Sequence, residues 1–155
     1  GPGVGTFTTH ILDRLPQDST LLAIDTNSRF VGYLKETIDD PRFEVVLGSA
    51  ADVERFVRES GHAGADYIIS GLPFSSLPTA VASDIADATY RVMNQGGAFM
   101  TYQFKPTARE LTQARFERSF WMSMPEEAKG VPRIQVVWKL LKHLFTEHQS
   151  RLKPL

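Results

Sequence analysis

The sequence predicts an α/β domain: a Rossmann-like, largely parallel sheet with helices on both faces. Three observations carry that expectation. Short apolar runs alternate with segments whose apolar residues recur every three or four positions. The glycine-rich stretch Gly1-Pro2-Gly3-Val4-Gly5 leads directly into the first helical segment. Asp25 closes the first apolar run, about twenty residues after those glycines.

The bulk composition suits such a domain. At 155 residues the chain is long enough for one domain, taken here as 1–155, with a sizeable core. A hydrophobic share of 42% with 23% charged residues argues against disorder. The net charge of -1 gives no general push towards nucleic acid. Without cysteine the chain has no disulfide framework, thiolate nucleophile or zinc-thiolate site. No signal peptide and no apolar run near eighteen residues stands out, so a cytoplasmic protein, soluble or peripheral on the inner membrane face, is expected.

The elements follow in order. Phe7, Ile11 and Leu15 are four apart, so Thr6 to Leu15 reads as a helix. Leu21-Leu22-Ala23-Ile24 is a strand ending on Asp25. Thr26-Asn27-Ser28 supplies cap residues for a helix carrying Phe30, Leu34 and Ile38, which Asp39-Asp40-Pro41 stops. Phe43 to Leu47 is a second strand, and Ser49-Ala50-Ala51-Asp52 opens a short helix with Val53, Phe56 and Val57. Ala65 to Ser70 is nearly continuous in its apolar character, which predicts a central parallel strand covered on both faces. Leu77-Pro78 starts the longest helix, and Asn94-Gln95-Gly96-Gly97 ends it. Ala98 to Phe104 is the next strand, and Thr107-Ala108-Arg109-Glu110 fits a capping box. A strand is expected over Phe116 to Met124, a loop over Pro125 to Gly130, and a strand or the start of a helix over Ile134 to Leu141, within a strand-plus-amphipathic-helix segment over 132–155.

In open α/β sheets ligands sit beyond the carboxyl ends of the strands. That rule selects Gly1 to Gly5, Asp25, Ser49-Ala50, Ser70 to Phe74, and Tyr102 to Phe104. Glycines let the backbone approach a ligand closely, and a carboxylate at the next strand end can take ribose hydroxyls. Each candidate has a plainer reading. The glycines could be a flexible end, Asp25 a helix cap, Ser49-Ala50 a turn, and Phe74 a core residue in the rigid Gly71-Leu72-Pro73-Phe74 loop.

Five segments together resemble the successive motifs of S-adenosylmethionine-dependent methyltransferases. They are Gly1 to Thr8, Ala23 to Asn27, Gly48 to Asp52, Ala65 to Pro78 and Gly96 to Phe104. Among these enzymes the bacterial phospholipid N-methyltransferases, which act on phosphatidylethanolamine, resemble it most, over about residues 1 to 124. The resemblance implies that Gly1, Gly3 and Gly5 lie against the methionine part of S-adenosylmethionine. Asp25, with Thr26 beside it, would take the ribose, and Ser49-Ala50 would lie by the adenine. Ser70, Gly71 and Leu72 would border the reacting centre, where Phe74 and Tyr102 would face the growing ammonium charge. It implies no metal. The rRNA adenine dimethyltransferases are similar too, but carry Asn-Leu-Pro-Tyr where this chain has Gly71-Leu72-Pro73-Phe74.

Two departures shape the remaining expectations. The family places a strand before the glycine loop, in mid-sheet, and this chain starts on the loop, so a gap between two halves of the sheet is expected. That gap also keeps a non-catalytic scaffold module in play. Near the other end, Met124-Pro125-Glu126-Glu127 stands where the family shows an Asn-Pro-Pro-like segment, which leaves the acceptor side open. Val137, Leu140, Leu141, Leu144 and Phe145 share one helical face that could meet a phospholipid membrane surface. Packing on the sheet, or against a second copy in a homo-oligomer, is the plainer reading. The four histidines show no convergent metal spacing.

Overall fold

A computed structural model describes residues 1–101, 110, 111 and 115. The chain divides into two units, Gly1–Ser119 and Phe120–Leu155, and every described residue belongs to the first. The strands and helix expected after Phe116 lie outside the described residues, as does Tyr102.

The elements alternate as the periodicity predicts: α1 (Thr8–Leu12), β1 (Leu21–Asp25), α2 (Ser28–Thr37), β2 (Phe43–Leu47), α3 (Val53–Glu59), β3 (Ala65–Ser70), α4 (Thr79–Val92) and β4 (Met93–Thr101). Single 3-10 turns, Ala50–Asp52 and Phe74–Ser76, precede α3 and α4. The first helix is shorter than the Thr6 to Leu15 span expected for it. Its end is fixed from outside, because Arg42 donates to the Leu12 carbonyl at 3.0 Å and the Leu15 carbonyl at 2.6 Å while paired with Asp40. Asn27 caps α2, its side chain accepting from the Arg29 amide.

The strands are parallel and form two pairs. β1 pairs with β2 in unbroken register, from Leu21 opposite Phe43 to Asp25 opposite Leu47. β3 pairs with β4, with Ala65 opposite Met93 but Tyr67 opposite Ala98. Residues 94–97 therefore bulge out of the ladder, and β4 starts at Met93, five residues before the expected Ala98. The expected helix stop is correct in place, since α4 ends at Val92, but its residues are drawn into the strand that follows.

Alternation along β1 sends neighbouring side chains to opposite faces. Ala23 packs with Val31 and Leu34 of α2 and Val45 of β2. Leu22 and Ile24 turn the other way, onto Val53 and Val57 of α3 and Ala88 and Val92 of α4, and Ile68 of β3 joins that cluster. Helices thus cover both faces of β1, and β1 and β3 lie under one helical layer. Among the described residues no ladder bond joins β1 to β3. The expectation of a fully covered central β3 needs correction: apart from Ser70 its residues are half-buried or exposed. The physical reason is that only one of its edges meets a strand among the described residues, so one flank lacks cover. A third cluster, Phe74 with Ala82 and Ile85, gathers Ala50, Leu72, Leu77, Phe99 and Leu111.

Candidate functional site

The carboxyl ends of β1 and β3 bring most of the sequence candidates to one end of the fold. Asp25 is buried, with 9% of its surface exposed, and its carboxylate is turned towards the glycine loop. One oxygen accepts the Gly3 amide at 3.2 Å and the other the Asn27 amide at 2.9 Å. Asn27, not Asp25, is the cap of α2, so the acid is free of that duty. Two backbone donors hold the carboxylate in a defined direction, as a group recruited to accept hydroxyls needs. Thr26 is exposed beside it.

The three glycines take three different roles. Gly3 sits at φ 57°, and a Cβ there would meet nothing within 4 Å, so this turn faces open space next to the Asp25 carboxylate. Gly5, at φ 79°, is buried, and a Cβ would come within 2.5 Å of Leu34, so its bareness serves close approach to α2. Gly1 packs near Leu72, and its amine donates to the Ile24 carbonyl at 2.8 Å.

After β2, the Ser49 hydroxyl accepts the Ala51 amide at 3.2 Å and caps the 3-10 turn, while Ala50 packs on the Phe74 cluster. After β3, Ser70 is 8% exposed and its hydroxyl accepts the Leu72 amide at 3.3 Å, which tightens the Gly71-Leu72 turn. A Cβ on Gly1 would come within 3.2 Å of Leu72, which itself belongs to the Phe74 cluster. Leu72 thereby couples the two loops. The Phe74 ring is 2% exposed and packs with Ala82 and Ile85, the plainer of its two expected roles. Its far side lines a cavity of about 380 Å³ with Ser75, Leu77, Thr79, Ala82, Glu110 and Leu111. Glu110 was read from sequence only as part of a capping box and Thr79 was not singled out; nothing in their spacing could signal that a cavity brings them together.

Among the described residues no group of three His, Asp or Glu side chains is placed to hold a metal ion. No described helix is long and apolar enough to cross a membrane. The donor set at Gly3 and Asp25 fits the sugar and chain of a nucleoside-type cofactor: an open turn without a side chain stands beside an oriented, buried acceptor.

Comparison with known proteins gives a consistent picture. No family model matches the chain. It is 27% identical over 117 residues to an ornithine lipid N-methyltransferase of Singulisphaera acidiphila, covering 75% of this chain and 61% of that protein. It is 26% identical over 123 residues to the ribosomal RNA small subunit methyltransferase H of Shewanella frigidimarina. With the corresponding Shewanella baltica protein the identity is 28% over 124 residues. Each of these two matches covers 77% of this chain and 38% of the relative. The chain therefore spans about three fifths or less of the length of these relatives.

Proposed function

From its similarity to methyltransferases, we propose that this chain forms the cofactor-binding part of an S-adenosylmethionine-dependent N-methyltransferase acting on a lipid head-group amine, phosphatidylethanolamine or a similar aminolipid. The observation that carries the reading is the Asp25 carboxylate, buried at a strand end and aimed at the open Gly3 turn. The lipid assignment draws on the ornithine lipid relative and on the resemblance of the Ser70 to Pro78 segment to phospholipid enzymes. Within this reading β1–β2 and β3–β4, which share no ladder among the described residues, are the two sides of a Rossmann-like sheet that a further strand between β1 and β3 would join. The protein would work in the cytoplasm, peripherally at the membrane face that presents its substrate.

When bound, S-adenosylmethionine supplies an electrophilic methyl group on a sulfonium. The chain's own part is placement. Asp25, held by the Gly3 and Asn27 amides, accepts ribose hydroxyls, with Thr26 at its rim. The Ser49-Ala50 turn borders the base, and Gly1 and Gly3 keep side chains away from the amino-acid end. Ser70, through its bond to the Leu72 amide, fixes the Gly71-Leu72 turn beside the reacting centre and keeps water from it. Methyl transfer to an amine is an in-line displacement that needs little acid-base help, so alignment in a dry site can supply most of the acceleration.

Calorimetric titration with S-adenosylhomocysteine tests the cofactor half. Saturable binding is expected, weakened about tenfold or more in Asp25→Ala, the loss of a charge-assisted bond pair. Absence of binding by folded protein would leave the scaffold alternative instead. Transfer of labelled methyl to aminolipid vesicles, compared with ribosomal RNA, tests the acceptor. Label in RNA alone would replace the lipid reading with that of the rRNA methyltransferase relatives.

A further inference from the structure

We infer that Phe56 is a positioning residue for the cofactor site, acting through Gly48 to fix the turn that borders the base. The inference rests on the S-adenosylmethionine reading above and deepens it by naming what sets the geometry of its base side. Phe56 lies on α3 and is 4% exposed. Its ring tip fills the space where Gly48 would carry a side chain: a Cβ there would stand 2.3 Å from the Phe56 Cζ and 2.7 Å from its Cε2. Gly48 is not among the glycines at positive φ, so its backbone makes no demand that alanine could not meet. The ring alone makes that demand.

Gly48 joins the ribose side of the site to the base side. Its amide donates to the Asp25 carbonyl at 2.9 Å, and Ser49 and Ala50 follow it directly. The Ser49 carbonyl accepts the Asp52 amide at 3.0 Å and the Ser49 hydroxyl accepts the Ala51 amide at 3.2 Å, so the turn is tied within itself. Such a turn moves as a unit when its first residue is displaced. The ring has little freedom to yield instead, because it is buried and the Arg55 guanidinium stands 4.1 Å from its centroid, paired with Glu59 at 3.1 Å and Asp52 at 3.8 Å. A side chain at Gly48 would therefore shift the Ser49-Ala50 border and pull on the backbone of Asp25. A site loses affinity when the groups that border it leave their productive places by a fraction of an ångström.

S-adenosylhomocysteine affinity of the full, folded chain, titrated calorimetrically with thermal unfolding followed alongside, reads the effect. Gly48→Ala should weaken binding about tenfold, the scale of a small displacement in an ordered site. Phe56→Leu, which removes the ring tip, should weaken it about threefold by leaving the turn unsupported. In the double variant the alanine methyl takes the space the ring leaves, and affinity should return to within about threefold of the unsubstituted chain, tighter than with Gly48→Ala alone. The ligand-free amide NMR shifts of Ser49 and Ala50 should move in Gly48→Ala and return in the double variant. A role in packing alone would lower the unfolding temperature and leave the affinity of folded protein intact. That result, or a double variant that binds no better than Gly48→Ala, overturns the inference while binding by the unsubstituted chain upholds the cofactor reading. Should Gly48→Ala not fold, Phe56→Leu decides, and unsubstituted affinity in that variant overturns the inference equally. Absence of binding by the folded, unsubstituted chain overturns both readings.

Discussion

The loop after β1 and the loop after β3 stand at the same end of the fold and are built in opposite ways. The first is polar: Asp25 gathers the amides of Gly3 and Asn27, and the Gly3 turn stays open. The second is largely apolar: Leu72, Phe74 and Leu77 are drawn into a cluster with Ala82, Ile85 and Phe99, and the Ser70 hydroxyl adds a side-chain tie to the loop's own backbone bonds. The strands beneath differ likewise, β1–β2 in unbroken register and β3–β4 interrupted at 94–97. A hydrogen-bonded loop can present acceptors to a polar ligand without loss of its own structure. A loop held by burial contributes shape and dryness, and its residues cannot be changed without cost to folding.

That contrast can be broken at three points. Phe74→Ala should cost about 4 kcal/mol of stability, the range for a buried aromatic truncated in a packed cluster. Denaturant unfolding measures it, and a loss under about 1 kcal/mol would mean that burial does not hold the second loop. Gly5→Ala should cost about 2 kcal/mol, because alanine must adopt φ 79° and its Cβ must displace Leu34. The same unfolding curves would show it, and a neutral result would place the loop's anchorage elsewhere than α2.

The smallest effect is on acid sensitivity. The Arg42 guanidinium, hydrogen-bonded to Asp40, lowers its carboxyl pKa from 3.8 to about 2. The native state thus releases this proton more readily than the unfolded chain does. The resulting stability is fully present above pH 3.8 and is lost as pH falls towards about 2. Asp40→Asn should flatten that part of the stability–pH profile by lowering stability near neutrality, where the contribution is fully present, and changing it least near pH 2. An unchanged acid limb would show that the Asp40–Arg42 pair, which also ties down the end of α1, adds nothing linked to protons.

Much of the local structure was legible because local physics decides it. The β2 and β3 boundaries follow from apolar runs ended by Gly48 and Gly71, and the start of α2 follows from the Asn27 side chain, which needs only its own neighbours to cap. The place of Asp25 at a strand end was legible from the apolar run before it. The shortened α1 was not, and the Leu12 and Leu15 carbonyls at its end are bound by Arg42, about thirty residues away. Nor was the early start of β4, since glycines that stop a helix can also bulge within a ladder once Met93 and Ala98 on either side of them pair with Ala65 and Tyr67.

The sequence by itself determined the alternation of elements, the glycine turn and the acid that answers it, because spacing and backbone freedom are properties of adjacent residues. Only the tertiary structure decided which glycine faces open space, which packs on Leu34, and that Glu110 shares a cavity with Phe74. Those outcomes depend on what lies across a gap of many residues, where packing of distant side chains and not local preference sets the energy.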